Sequence, residues 1–202
     1  MKLYFSPGAC SLAPHIVLRE AQLPFVLERV NISTHKTQHD ADYYTINPKG
    51  YVPLLELDNG ERLSEGPVIA QYISDQAGNH DLMPAAGTLQ RYRVMEWQNY
   101  ITSELHKSFS PLFNPAIEAS AKAVISAALR KKFDWVSSQL EGKQYLTGDT
   151  FTAADAYLFA VASWARHVDL DLSGCTHLQD YLKRVANRPA VKAAMQAEGL
   201  LG

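Results

Sequence analysis

The sequence predicts a small α/β domain followed by an all-helical domain. Residues 1–77 alternate short strand patterns with amphipathic helical patterns. Residues 78–87 contain two glycines and a proline, which is typical of a linker. From residue 88 to residue 202 only helical patterns occur. We therefore expect domains at 1–77 and 88–202, with the linker at 78–87 between them.

The N-terminal elements follow the order βαβαββα, in which the second helix is assigned to a polar segment without a clear period. They are a strand at Lys2–Phe5, a helix at Ser11–Ala21, a strand at Phe25–Asn31, an ambiguous polar segment at Thr34–Thr45, a hairpin of Pro53–Leu57 and Glu61–Leu63, and a helix at Gly66–Gln76. Ser11 is a candidate cap for the first helix. The Asn59-Gly60 pair favours a type I′ turn in the hairpin.

The C-terminal helices are predicted from their apolar periodicity. They are Leu89–Phe109, Ala116–Leu140, Ala153–Val168, Leu178–Ala186 and Ala190–Glu198. Pro111 and Pro115 are expected to interrupt the chain between the first two. The third helix is strongly apolar, which indicates a buried central helix, and Thr152 to Asp155 has the form of a capping box at its start. Arg130 to Lys132 form a short basic run that we expect on a solvated face.

Composition excludes several classes of function. Lys and Arg total 19 and Asp and Glu total 21, which gives a net charge of −2. This charge argues against nucleic acid or an anionic membrane as a partner. Hydrophobic residues make up 47%, as in globular proteins, and two cysteines are too few for a disulfide framework. No apolar run reaches membrane-spanning length and no signal segment is evident, so we expect a cytoplasmic protein.

Cys10 is the most informative residue. It follows a strand and a Pro-Gly turn and directly precedes a helix. Free N–H groups at a helix start favour an anion, so this position predicts a lowered thiol pKa and a reactive thiolate. The alternative is a small buried apolar residue. Position 13 is Ala13, so there is no Cys-x-x-Cys pair, and a reacting Cys10 requires a thiol partner from outside, such as glutathione.

Two further segments are suited to a peptide-like ligand. A cis bond between Val52 and Pro53 would turn the Val52 N–H and C=O outward to pair with an extended peptide, although the local sequence alone favours trans. Glu65 and Gly66 stand at a helix start. Gly66 N–H suits a carboxylate there and Glu65 suits an ammonium. The alternative for this second segment is a simple helix cap.

These segments, taken in order, resemble the bacterial beta class of glutathione S-transferases over essentially the whole chain. The matching motifs are Met1-Lys2-Leu3-Tyr4, Ser6-Pro7-Gly8-Ala9-Cys10-Ser11-Leu12, Asn47-Pro48-Lys49-Gly50, Val52-Pro53, Glu65-Gly66, Glu104-Leu105-His106-Lys107 and Phe151-Thr152-Ala153-Ala154-Asp155-Ala156-Tyr157-Leu158-Phe159. The resemblance implies a thioredoxin-like N-terminal domain that binds glutathione, and a helical domain that helps to bind a hydrophobic electrophile. It also implies a homodimer.

The resemblance assigns roles around the bound tripeptide. It implies a cis Pro53, backbone pairing of Val52 with the cysteinyl part of glutathione, and contacts from Glu65 and Gly66 to the γ-glutamyl end. Other members often carry Ser where this chain has Gly66, which removes a hydroxyl. Other members also often carry Lys near the glycyl carboxylate, where this chain has His35. Lys36 stands next to it, and the choice between His35 and Lys36 stays open.

The resemblance also implies that His106 lies beside Cys10 and acts on a sulfur. Asn99, Ser103 and His106 are spaced by four and three residues, which places them on one face of a helix. Lys107 adds positive charge that favours a thiolate. Ser103 and Glu104 are implied to reach the ligand of the neighbouring subunit.

The expected activity is conjugation of the glutathione thiolate to hydrophobic electrophiles, with Cys10, Ser11 and His106 as catalytic residues. Glutathione is a co-substrate, and we expect neither a permanently bound cofactor nor a metal. Aromatic side chains, among them Tyr4, Phe109, Phe113, Tyr157 and Trp164, are expected to line the electrophile pocket. Two alternatives stay open. One is thiol–disulfide or reductive dehalogenation chemistry through Cys10, and the other is a non-enzymatic carrier of hydrophobic ligands.

Overall fold

Short apolar strands near the N-terminus pair into one mixed sheet in the computed structural model, which describes residues 1–201. The strands are β1 (Lys2–Phe5), β2 (Val26–Asn31), β3 (Lys36–Thr37), β4 (Leu54–Glu56) and β5 (Arg62–Ser64), in the order β3-β2-β1-β4-β5. β1 is central, parallel to β2 and antiparallel to β4. Leu3 of β1 lies beside Leu27 and Leu55, and Leu3 and Leu55 are fully buried. Helices α1 (Leu12–Glu20) and α2 (Gly66–Gln76) complete the domain.

The predicted fold class is confirmed, with three local corrections. The segment predicted as a second helix instead forms β3 and a short 3₁₀ turn at Tyr43–Thr45. Only Gly60 of the Asn59-Gly60 pair has positive φ, and Gly60 N–H bonds to Leu57 C=O, so the type I′ prediction was wrong. A type I turn followed by a left-handed glycine forms this hairpin. The predicted cap was also wrong, because Ser11 has helical φ and ψ and no capping side-chain bond.

The C-terminal part of the described chain is helical. Its helices are α3 (Leu89–Tyr100), α4 (Lys107–Phe113), α5 (Ala119–Gln139), α6 (Ala153–Ala162), α7 (Thr176–Ala186) and α8 (Pro189–Ala197). A π-helical turn at Ile101–His106 joins α3 to α4, so the predicted helix of residues 89–109 is real but not regular. Pro111 lies inside α4 and costs it one hydrogen bond without ending it, contrary to the prediction.

The apolar helix α6 organises the core. All ten of its residues are buried, and it packs against α1, α2 and α3. The predicted capping box is present between Thr152 and Asp155. One core cluster runs from Leu3 in the sheet to Val161 in α6, so the domain boundaries at residues 77 and 88 remain a prediction. Within residues 1–201, no helix has both the length and the apolar character that a bilayer crossing requires.

Candidate active site

The turn that carries Cys10 is held from the helical side of the molecule. Gly8 has φ +71°, a conformation that side chains disfavour. Its N–H donates to Glu198 Oε2 at 2.9 Å, and its C=O accepts from Trp164 Nε1 at 2.8 Å. Both polar groups of this residue are therefore fixed by side chains more than 150 residues further along the chain.

Glu198 is itself held by a buried histidine. His15 Nδ1 lies 2.8 Å from Glu198 Oε1, and both side chains are fully buried. Arg19 Nε donates to His15 Nε2 at 2.9 Å. Because a guanidinium only donates, Nε2 accepts and Nδ1 carries the proton, so His15 is neutral and donates to the Glu198 carboxylate. The sequence signal for this network, which the sequence analysis missed, is a histidine on the apolar face of α1, since a buried polar group needs a partner.

The Cys10 thiol is partly buried at the start of α1. Its Sγ donates to the Val52 carbonyl at 3.2 Å. Burial raises the pKa of Cys10 to about 11, and the nearby charge of Glu65 adds to this, whereas the backbone N–H groups of Cys10 and Ser11 act in the opposite direction. The predicted lowering of this pKa was therefore wrong, because desolvation outweighs the helix-end N–H groups. At neutral pH Cys10 is a thiol.

Ser11 is fully buried, and its hydroxyl is occupied within the same turn. The hydroxyl donates to Ser6 C=O and accepts from Ser6 N–H, each at 3.2 Å. These bonds join the end of β1 to the start of α1. Because they occupy the hydroxyl, it does not cap the helix. The Ser11 backbone N–H is the part of this residue that lowers the Cys10 pKa.

The Val52–Pro53 peptide bond is cis, as the resemblance implied. It precedes β4 directly, so the backbone of Val52 stands just before the start of an inner strand of the sheet. The Val52 carbonyl accepts from Cys10, and the Pro53 ring lies beside Gly66. A thiol, an extended backbone segment and the start of α2 are thus brought together.

Glu65 precedes α2 in an unusual conformation, with φ 71° and ψ 110°. Non-glycine residues held at positive φ often mark functional sites. Its carboxylate makes no capping bond to the helix and instead pairs with Lys49 Nζ at 3.0 Å. Both side chains are more than half exposed, so this ion pair is weak. The first N–H groups of α2 remain suited to an anion.

His106 lies at the end of the π turn and is held on two sides. Its Nδ1 is 2.7 Å from the Tyr157 hydroxyl, and its ring packs edge-on against Trp164 with centroids 4.8 Å apart. Burial lowers the pKa of His106 to about 4, the charge of Lys107 lowers it further, and Glu65 opposes this. His106 is therefore neutral at pH 7. Burial also raises the pKa of Tyr157, which keeps its hydroxyl protonated and able to donate.

The other residues predicted on this helix are less closely joined to Cys10. Asn99, Ser103 and Lys107 are exposed. Ser103 Oγ donates to Glu104 Oε1 at 3.3 Å, and Glu104 pairs with Lys132 at 2.9 Å. Within residues 1–201, no hydrogen bond or ion pair joins Asn99, Ser103 or Glu104 to Cys10 or Glu65. The π turn also changes the predicted common face, because its residues are not spaced at 3.6 per turn.

His35 and Lys36 stand at the end of the sheet beyond β2. The His35 ring lies over Tyr44, with centroids 4.4 Å apart, and its buried Nδ1 has no hydrogen-bond partner within the described residues. The ring also crowds Gly50, where a Cβ would lie 3.1 Å from it. Lys36 is exposed, and its Nζ is 3.7 Å from Asp40.

The predicted aromatic residues divide into two groups. Phe109, Phe113 and Trp164 contact one another, with Phe113 and Trp164 centroids 6.1 Å apart, and Trp164 continues this apolar wall to His106. Phe113 is about half exposed at 48%, whereas Phe109 is fully buried. Tyr4 is buried in a separate cluster against Tyr43, apart from these residues.

The carboxylate of Glu65 acts electrostatically on three side chains of the candidate site. Its charge acts to raise the pKa of Cys10, His106 and Tyr157, so all three lie within electrostatic range of it. We use the name cleft for the region around Cys10, Val52, Glu65 and His106, which offers a thiol, a neutral imidazole and a helix start. Such a combination suits a peptide-like thiol beside an apolar partner. In residues 1–201, no group of three or more His, Cys, Asp or Glu side chains is arranged to hold a metal ion.

Family models match both parts of the chain. The glutathione S-transferase N-terminal domain matches residues 8–76, and the glutathione S-transferase C-terminal domain matches residues 100–189. Glutathione S-transferase GstA of Escherichia coli O157:H7 is 44% identical, over 99% of this chain and 100% of its own.

Solved structures agree in fold over the full length. A bacterial glutathione S-transferase, BphK, in a ternary complex has 50% identity and a TM-score of 0.96, covering 99% of this chain and 100% of its own. A beta-class enzyme of Sphingomonas chungbukensis has 44% identity and a TM-score of 0.95, covering 100% of both chains. A sphingomonad enzyme complexed with glutathione has 43% identity and a TM-score of 0.95, covering 99% of this chain and 100% of its own. This chain therefore belongs to the glutathione S-transferase family, and the predicted resemblance to its bacterial beta class is confirmed.

Proposed function

We propose that this transferase binds glutathione in an extended form along Val52, and that it transfers the glutathionyl group, through its sulfur, to an apolar electrophile held beside Trp164. The observation that carries the proposal is the Cys10 thiol on the Val52 carbonyl, in the cleft that His106 and Glu65 also border. A ligand thiol that pairs with the Val52 backbone comes within reach of both Cys10 and His106.

The ends of the tripeptide are recognised by charge. Glu65 takes the ammonium of the γ-glutamyl group, and Gly66 N–H at the start of α2 takes its carboxylate. The glycyl carboxylate meets His35, whose Nδ1 lacks a partner within the described residues, with Lys36 adding positive charge beside it. Val52, oriented by the cis bond to Pro53, holds the middle of the ligand through its backbone.

The chemical step needs a glutathione thiolate rather than a Cys10 thiolate. Cys10 remains protonated at neutral pH. In the complex that we propose, its thiol proton turns from the Val52 carbonyl to the ligand sulfur, and the Val52 backbone pairs with the ligand instead. The Tyr157 hydroxyl lies 2.7 Å from His106 Nδ1, and we assign to His106 the tautomer in which Tyr157 donates to Nδ1 and Nε2–H is a second donor to the ligand sulfur. The Ser11 backbone N–H and the charge of Lys107 favour the same anion. The sulfur then bonds to the electrophilic carbon, the leaving group departs with its electron pair, and the thiol proton has already passed to solvent.

The helix residues and the aromatic wall complete the site. We place Asn99, Ser103 and Glu104 at its outer edge, where they contact the ligand across a subunit boundary.

Large exposed apolar side chains at Val68, Leu89 and Tyr92 supply a surface for a second copy of the chain. A homodimer would have twice the chain mass of 22.5 kDa, which sedimentation at micromolar concentration measures directly. No permanently bound cofactor is part of this proposal.

The raised pKa of Cys10 favours conjugation over the redox alternative, because a protonated thiol is a weak nucleophile. We expect Cys10→Ser, which keeps a donor, to retain kcat/KM for an aryl halide within about threefold. Cys10→Ala, which removes the donor, should lose about tenfold, since a hydrogen bond to a charged group contributes about 1.5 kcal/mol. Cys175→Ser is the matched control, because Cys175 is buried far from the cleft and bonds to Asp134.

The first measurement is the Kd of glutathione for the wild-type chain, obtained by calorimetry before these assays. Binding to the wild-type chain at millimolar or lower Kd supports the proposal. Absence of binding would contradict it and favour a carrier of hydrophobic ligands. Loss of disulfide exchange in Cys10→Ser, with conjugation absent from the wild type, would favour the redox alternative.

A further inference from the structure

The π turn at Ile101–His106 is an irregular feature within an otherwise continuous helix. Lys107 N–H donates to Thr102 C=O, five residues earlier, instead of four as in an α-helix. Single π turns are uncommon and often occur at functional sites, because they rotate the side chains that follow. This one ends at His106, whose direction in the cleft depends on it.

A lysine of α5 binds the middle of this turn. Lys132 of α5 lies 3.0 Å from the Glu104 carbonyl, 2.9 Å from Glu104 Oε2 and 3.1 Å from Ser108 Oγ. The Ser108 hydroxyl also donates to the Glu104 carbonyl, at 2.6 Å. An ammonium has three donors, so Lys132 directs all of them at this turn.

This arrangement corrects the prediction for the basic run. Lys131 is exposed as expected. Lys132 is half-buried, with 31% of its side chain exposed, and Arg130 bonds to Asp134 and to the Asp171 carbonyl. The run is therefore a solvated face at Lys131 but not at its two neighbours.

We propose that Lys132 is a positioning residue for the transferase reaction, because it fixes the π turn that aims His106 at the reacting sulfur. Tyr157 and Trp164 orient the imidazole ring from the cleft side. Lys132 fixes the backbone from the opposite side, two residues before His106. This inference rests on the proposed role of His106, whereas Lys132 itself touches neither glutathione nor the electrophile.

The test compares Lys132→Met with Lys131→Met, which removes the same charge one residue away. We expect Lys132→Met to lower kcat for aryl-halide conjugation about tenfold, with KM for glutathione changed less than twofold. The Cε1–H NMR signal of His106 should shift in the same variant. Lys131→Met should leave kcat, KM and the signal unchanged. Lys132→Arg, which keeps the charge and several donors, should recover part of kcat.

Two results would overturn the inference. One is an unchanged His106 signal in folded Lys132→Met, which is decisive even if the wild-type chain shows no conjugation and the proposed function itself has failed. The other is an equal loss of kcat in both methionine variants, which would assign the effect to net charge. If Lys132→Met does not fold, Ser108→Ala removes one partner of the ammonium. A shifted His106 signal in that variant supports the inference, and an unshifted signal contradicts it.

Discussion

Two glutamates support the candidate site, one behind the Cys10 turn and one at the start of α2, and their surroundings are opposite. At the buried seam, made of Gly8, His15 and Glu198, the carboxylate is fully buried and both its oxygens are bonded. At the exposed rim, made of Lys49 and Glu65, the carboxylate is 65% exposed and has one weak ionic partner. The seam joins the Cys10 turn to the C-terminal end of the chain. The comparison teaches that a satisfied, buried carboxylate fixes geometry, whereas a poorly satisfied, exposed one is available to a ligand.

Removing the seam carboxylate should have the largest effect on stability. Glu198→Ala leaves the buried ring N–H of His15 and the part-buried backbone N–H of Gly8 without acceptors. We expect the free energy of unfolding to fall by about 3 kcal/mol, measured by urea denaturation. The exposed Glu141→Ala should change it by less than about 0.5 kcal/mol. A loss below about 1 kcal/mol in Glu198→Ala would show that the seam does not hold the turn.

His106 lies between the two regions and provides the next test. Its ring packs on Trp164, which bonds to Gly8, and its pKa is also sensitive to Glu65. Burial lowers the pKa of His106 from 6.5 to about 4, so between these values the unfolded chain binds a proton that the folded chain does not. Stability should therefore fall as pH drops from 6.5 towards 4, by up to about 1.4 kcal/mol per pH unit from this residue.

The measurement is the unfolding free energy of the wild type and of His106→Gln at several pH values in that window. The variant should show a shallower slope, because glutamine does not titrate. The exposed His39→Gln serves as the matched control and should keep the wild-type slope. Equal slopes for the wild type and His106→Gln would mean that the imidazole is not desolvated.

Removing the rim carboxylate should weaken ligand binding and leave stability nearly unchanged, the reverse of the effect expected at the seam. Glu65→Gln keeps the shape of the side chain but removes the charge that pairs with the ligand ammonium. We expect glutathione to bind about tenfold more weakly by calorimetry, because an ionised hydrogen-bond partner contributes about 1.5 kcal/mol. The free energy of unfolding should change by less than about 0.5 kcal/mol, since only the exposed ion pair between Glu65 and Lys49 is lost. Glu61→Gln, also exposed, is the control. A large stability loss with unchanged affinity would reverse the comparison.

The contrast also explains which features the sequence could predict. Local patterns identified the hairpin, the capping box of Thr152 and Asp155 and the strand–turn–helix position of Cys10, because each depends on neighbouring residues. The bond between Gly8 and Glu198 spans 190 residues, so no local pattern contains it. The pKa of Cys10 depends on burial by distant segments, and the helix-end argument alone therefore gave the wrong direction.

The π turn escaped prediction for a similar reason. The periodicity of residues 89–109 is helical, and the change of hydrogen-bond register at Ile101–His106 is accompanied by the contact from Lys132 on another helix. The family resemblance supplied the cis Pro53, which local propensity did not favour. Sequence reasoning was thus accurate for most helices and strands, and weak for turns and for side chains held across the two parts of the chain.

The smallest expected effect is a gain at the rim. A Cβ at Gly66 would lie 3.8 Å from Pro53 Cγ, an ordinary contact distance. Gly66→Ser therefore fits without movement and adds a hydroxyl beside the helix start, where we expect the ligand carboxylate. We expect about threefold tighter glutathione binding by calorimetry, a net gain of about 0.6 kcal/mol from one hydrogen bond.

Gly66→Ala separates the backbone effect from the hydroxyl, because both substitutions stabilise the helix relative to glycine by a few tenths of a kcal/mol. If alanine tightens glutathione binding as much as serine does, the gain in affinity comes from helix stability and not from the hydroxyl. If only serine does, ligand affinity is adjustable at the rim without any change at the seam.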